Sequence, residues 1–85
     1  MPLFVIERRY AEQLQVSPDI VREVEAINAD EDVRWIFSFL TADKLRSYCL
    51  YEASSADAIL AAARRAGLPA DVITEVERVD PRAYV

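Results

Sequence analysis

Two segments, residues 33–40 (Val-Arg-Trp-Ile-Phe-Ser-Phe-Leu) and 45–52 (Leu-Arg-Ser-Tyr-Cys-Leu-Tyr-Glu), flank a short polar stretch, Thr41-Ala42-Asp43-Lys44. Both are rich in aromatic and aliphatic side chains, which suit a pleated, half-buried surface, so they read as a β-hairpin. A turn over residues 41–44 sets Leu40 opposite Leu45, Ser38 opposite Ser47 and Ile36 opposite Cys49. One face then carries Ile36, Ser38, Leu40, Leu45, Ser47, Cys49 and Tyr51; the other carries Trp35, Phe37, Phe39, Arg46, Tyr48, Leu50 and Glu52. Neither face is polar enough to be left in water. The chain's own helices can cover one, and a second molecule has to cover the other.

The 85 residues suffice for a single domain over residues 1–85, with a modest core. Hydrophobic residues at 53% and charged residues at 29% place the chain among globular proteins. A net charge of −5 argues against a nucleic-acid surface. No run approaches the roughly 20 apolar residues of a membrane span. The first residues put their charges after the apolar run, the reverse of a signal peptide. One cysteine, Cys49, excludes an internal disulfide and suits a reducing compartment, so the expected location is the cytoplasm. Histidine is absent, which removes the commonest general base and the commonest transition-metal ligand together. The lone glycine, Gly67, leaves no phosphate-cradling loop.

Residues 3–8 alternate as a first strand, and residues 9–16 connect it onward, with room for one helical turn over 11–14. Ser17-Pro18-Asp19 is a helix start: a hydroxyl cap, proline at the first helical position and an acid in the first turn. Ile20, Val21, Val24 and Ile27 fall on one face of that helix. After the hairpin, Ser54 or Ser55 caps a second helix with Ala56, Ile59, Leu60, Ala63 and Ala66 on its apolar face. Gly67 is placed for a left-handed C-cap. Residues 72–79 form a last strand stopped by Asp80-Pro81. The order β-α-β-β-α-β is that of an α+β, ferredoxin-like fold, with antiparallel strand order 4-1-3-2 and both helices on one face. The alanine-rich second helix can approach closely the face bearing Ser38, Ser47 and Cys49. The aromatic face is left open, and a homodimer through that face, of dimeric α/β-barrel type, is the expected assembly.

Extending the alternation places Val5, Glu7 and Arg9 of the first strand, and Ile73, Glu75 and Glu77 of the last, on the open face. The candidate site there is an aromatic floor of Trp35, Phe37, Phe39, Tyr48 and Leu50, with Arg46 nearby and Glu7 and Glu75 at one side. Two readings stand open: rim charges paired with Arg9 and Arg46, or carboxylates that raise one another's pKa or hold a divalent metal ion. Cys49 reads as a small buried hydrophobe rather than a ligand or nucleophile.

Four stretches carry a resemblance over nearly the whole chain: Val-Ile-Glu-Arg at 5–8, Val-Arg-Trp-Ile-Phe-Ser-Phe at 33–39, Ser-Tyr-Cys-Leu-Tyr-Glu-Ala at 47–53 and Ala-Arg-Arg-Ala-Gly-Leu-Pro-Ala at 63–70. The chain resembles a group of small bacterial proteins long filed as a domain of unknown function, some of them described as nickel-binding proteins. That resemblance implies a ferredoxin-like fold dimerising through its sheets, and Glu7 as a metal ligand. Glu75 joins it only through the alternation. One position departs from the pattern: where the family reads Trp-x-His-Ser-Tyr, this chain has Trp35-Ile36-Phe37-Ser38-Phe39. Nickel favours imidazole ligands, whereas carboxylates alone suit magnesium, calcium or manganese. The expected function is therefore that of a small non-enzymatic binding protein with weak or no nickel binding. The alternative, by fold analogy, is a dimeric α/β-barrel enzyme of the cofactor-independent monooxygenase type acting on a small aromatic molecule.

Overall fold

Serine, proline and aspartate in succession start the first helix as their chemistry predicts. In the computed structural model, which describes residues 1–84, helix α1 spans Pro18–Asp30. The Ser17 hydroxyl accepts the Ile20 N–H at 3.3 Å, so one of the first turn's orphan donors is satisfied. Helix α2 spans Ala56–Ala66, and its cap is Ser55, which accepts the Ala58 N–H at 3.3 Å. It ends at Gly67 with φ at +67°, the left-handed conformation that costs glycine least. There the Leu68 N–H reaches back to the Ala63 carbonyl at 3.0 Å.

Four strands complete the fold: β1 (Leu3–Arg9), β2 (Arg34–Leu40), β3 (Arg46–Glu52) and β4 (Val72–Val76). They form one sheet in the order β2-β3-β1-β4, antiparallel throughout. This is the predicted order read from the opposite edge, and the architecture is the α+β ferredoxin-like fold. The last strand stops at Val76, short of residue 79, and a turn of 3-10 helix at Pro81–Tyr84 follows. Residues 10–16 form no helical turn. Instead the Tyr10 and Leu14 N–H groups donate to the Leu45 and Lys44 carbonyls, both at 2.9 Å, docking this segment on the hairpin loop. Among the described residues no helix is long and apolar enough to cross a membrane.

The core lies between the sheet and the helices. Phe4 and Ile6 of β1 and Cys49 and Tyr51 of β3 meet Ile59 and Ala62 of α2, with Val33 and Ala53 beside them. From α1 come Val24 and Asn28, the latter missed by an apolar pattern; its amide donates to the Tyr51 hydroxyl at 3.3 Å. Ile20, assigned to the apolar face, is 44% exposed.

The hairpin is paired two residues away from its predicted register. The turn does span Thr41–Lys44, closed by the Lys44 N–H donating to the Thr41 carbonyl at 2.8 Å. But Thr41 also continues the ladder: its N–H donates to the Arg46 carbonyl at 2.9 Å, and its hydroxyl accepts the Arg46 N–H at 3.1 Å. Leu40 therefore faces Ser47, Ser38 faces Cys49, Phe39 faces Tyr48 and Phe37 faces Leu50. A shift of two preserves sidedness, so the face assignments near the turn stand. Between Trp35 and Phe37 the register slips once more, by one residue, in a β-bulge at Ile36. That slip inverts everything before it.

Candidate functional site

The open face is built in rows across the strands. Val5, Leu50 and Phe37 form one row; Glu7, Tyr48 and Phe39 form the next. Phe37 is 47% exposed and Phe39 67%. Their rings meet edge to face with centroids 5.3 Å apart, the arrangement their quadrupoles favour. With Leu3, Val5, Leu50 and Val76 they line a shallow apolar groove of 280 Å³. Glu7 sits beside it, and its carboxylate accepts from the Arg9 guanidinium at 2.6 Å. Arg46 lies across from Arg9; its pKa is held above the ordinary value first by the Tyr48 hydroxyl and then by the Glu7 carboxylate.

Two candidate residues stand elsewhere. Glu75 pairs with Phe4, whose side chain points into the core, so it belongs to the helix side of the sheet and not beside Glu7. The strand carrying it is offset by one residue from the predicted alternation: Val72, Thr74 and Val76 face the open side, and Ile73 packs on the core. Trp35 is also on the helix side, turned there by the bulge. It pairs with Tyr51, stacks on that ring at 6.5 Å and 11°, and donates its indole N–H to the Ser38 hydroxyl at 2.7 Å. Phe37, Phe39, Arg46, Tyr48, Leu50 and Glu7 do share the open face. Among the described residues no three carboxylate or thiol side chains cluster closely enough to hold a metal ion.

The helix side holds what the sequence reading passed over. Arg8 follows Phe4 and Ile6 on the inward side of β1 and is 3% exposed. Its guanidinium donates to the Pro69 carbonyl and lies 5.9 Å from the centre of the Tyr51 ring. The same period-two alternation that put Phe4 and Ile6 inside was the signal for Arg8. The Tyr10 hydroxyl and Ser47 Oγ are 2.7 Å apart, and Ser47 Oγ lies 3.6 Å from Cys49 Sγ. Burial, above all, raises the pKa of Tyr10 and of Tyr51. These groups border a largely apolar cavity of 240 Å³ between sheet and α1.

Residues 4–76 match the family model described as nickel responsive protein SCO4226-like. The chain belongs to the SCO4226-like family. Within it, the crystal structure of SCO4226 from Streptomyces coelicolor A3(2) is similar to this chain at 26% identity and a TM-score of 0.70, over 92% of this chain and 99% of that one. No curated protein matches the sequence. The SCO4226-like assignment agrees with the family resemblance carried by the motifs at 5–8, 33–39, 47–53 and 63–70.

Proposed function

We propose that this SCO4226-like protein is a small non-enzymatic binding module that pairs into a homodimer through its open sheet face, and that it binds nickel weakly. The exposure of Phe37 and Phe39 on an apolar groove carries this reading. Such a surface on a single chain is an association site, and two sheets laid face to face would bury on the order of 1,600 Å² in total. At the position of the family's imidazole stands a phenyl ring, which offers a metal no lone pair. Glu7 already carries Arg9, and Glu75 lies on the far side of the sheet. This donor set does not fit nickel.

The enzyme alternative calls for an apolar chamber with a group that can take a proton. The chamber beside α1 has apolar walls, but its charged residue is Arg8, which is no base at physiological pH. That favours binding over catalysis. Sedimentation at micromolar concentration and calorimetric titration with nickel test the reading on the unaltered protein. The expected results are a dimer and little heat. A clean monomer, or tight stoichiometric nickel uptake, would overturn it.

A further inference from the structure

Among the described residues, Arg8 is a buried cation without an ion-pair partner. At 3% exposure its company is neutral: the Pro69 carbonyl, and Tyr51 through both its ring and its hydroxyl. A guanidinium carries five N–H donors in a planar fork, and burying its charge unpaired is costly unless a counter-charge arrives. The space for one is adjacent. Arg8 lines the 240 Å³ cavity together with Trp35, Tyr51, Val24 and the hydroxyls of Tyr10 and Ser47. The cavity reaches the surface at Val16 and Ile20, which also line it and are 59% and 44% exposed.

We infer that this cavity is a binding site for a small organic acid, one with a single carboxylate and an apolar, ring-sized body. Arg8 supplies the countercharge and the bidentate fork that a carboxylate matches. The hydroxyl pair of Tyr10 and Ser47 supplies further polar contacts, and the indole of Trp35 and ring of Tyr51 supply flat apolar walls. The volume sits just below the roughly 300–1,000 Å³ of pockets for drug-sized ligands, which limits the occupant to about one ring. The inference goes beyond the open-face reading and does not rest on it, since the two sites lie on opposite faces of the sheet.

Trp35 is the only tryptophan and lines the cavity, so its emission reports occupancy directly. The probes are benzoate and phenylacetate, each against its uncharged amide, titrated at neutral pH into the unaltered protein. The acids should bind roughly tenfold or more tightly than the amides, the usual margin for a desolvated charge-assisted pair. Arg8→Met should erase that preference, and Arg8→Lys should keep part of it. If Arg8→Met does not fold, the acid–amide comparison still decides, supported by amide NMR shifts expected at Ser47, Cys49 and Val24. Equal binding of acid and amide, no saturable response at millimolar probe, or shifts confined to Phe37 and Leu50 would each overturn the proposal.

Discussion

The Trp35 indole N–H donates to the Ser38 hydroxyl at 2.7 Å, although residues three apart on a regular strand point to opposite sides of the sheet. The bulge at Ile36 reconciles them by inserting one residue. It moves the largest side chain of the hairpin off the open face and makes it a wall of the helix-side cavity. Ser38→Ala leaves the part-buried N–H without its acceptor. The expected loss is about 1–2 kcal/mol of stability, read by denaturant unfolding followed at Trp35, with a red-shifted emission in the folded state. Unchanged stability and emission would mean that stacking on Tyr51 alone holds the indole.

Phe39→Glu tests the assembly with little risk to the fold. Phe39 is 67% exposed in the single chain, and substitutions at such positions usually alter stability by no more than about 0.5 kcal/mol. In a sheet-to-sheet dimer the new carboxylates would be forced into an apolar contact. The variant should sediment as a folded monomer where the unaltered protein sediments as a dimer. An unchanged sedimentation profile would place the interface elsewhere.

Phe37→His places a nitrogen donor on the open face. Nickel affinity should rise by roughly tenfold or more, measured by calorimetry at neutral pH. Phe37 faces Leu50, one row from Glu7 and Tyr48, so within one chain the new imidazole is offset from the carboxylate and a second copy would complete the set. The same change should weaken the dimer, because a polar ring replaces a hydrocarbon one. No gain in nickel affinity would remove Phe37 as the explanation for weak binding.

Tyr51 predicts how stability responds to alkali. Burial raises its pKa, against smaller opposing effects from the Asn28 hydrogen bond and the Arg8 charge. The fold therefore favours the neutral phenol, while the unfolded chain ionises near its ordinary value of about 10. This contribution is fully present below about pH 10 and is lost as pH rises through the higher folded value. Ultraviolet titration of the native protein should show late-ionising phenols, of which Tyr51→Phe removes one and leaves that of Tyr10. A titration with no late component would contradict the burial of this ring.

Cys49 is 6% exposed, between Ser47 and Tyr51 on the core side of β3. A thiol reagent should label it slowly in the native protein and rapidly in denaturant. Fast native labelling would indicate that the helix side opens readily, with consequences for access to the Arg8 cavity.

The sequence by itself determined whatever acts over a few residues. Ser17 with Pro18, Ser55 and Gly67 mark helix ends because each satisfies or relieves its own backbone. Period-two alternation sorted Phe4 and Ile6 from Val5 and Glu7, and Ser47, Cys49 and Tyr51 from Tyr48 and Leu50, because successive side chains on a strand must diverge. Only the tertiary structure decided register, which depends on the partner strand and not on the strand alone. Thr41 extended the hairpin ladder through a hydroxyl that the turn pattern ignored. The bulge at Ile36 turned Trp35 inward, and β4 settled with Glu75 opposite Phe4. A one-residue slip inverts a strand's faces at little local cost, so the choice falls to long-range packing. The isolation of Arg8 was of the same kind: alternation pointed it inward, but that no carboxylate among the described residues pairs with it emerges only once α1 and the sheet enclose the cavity.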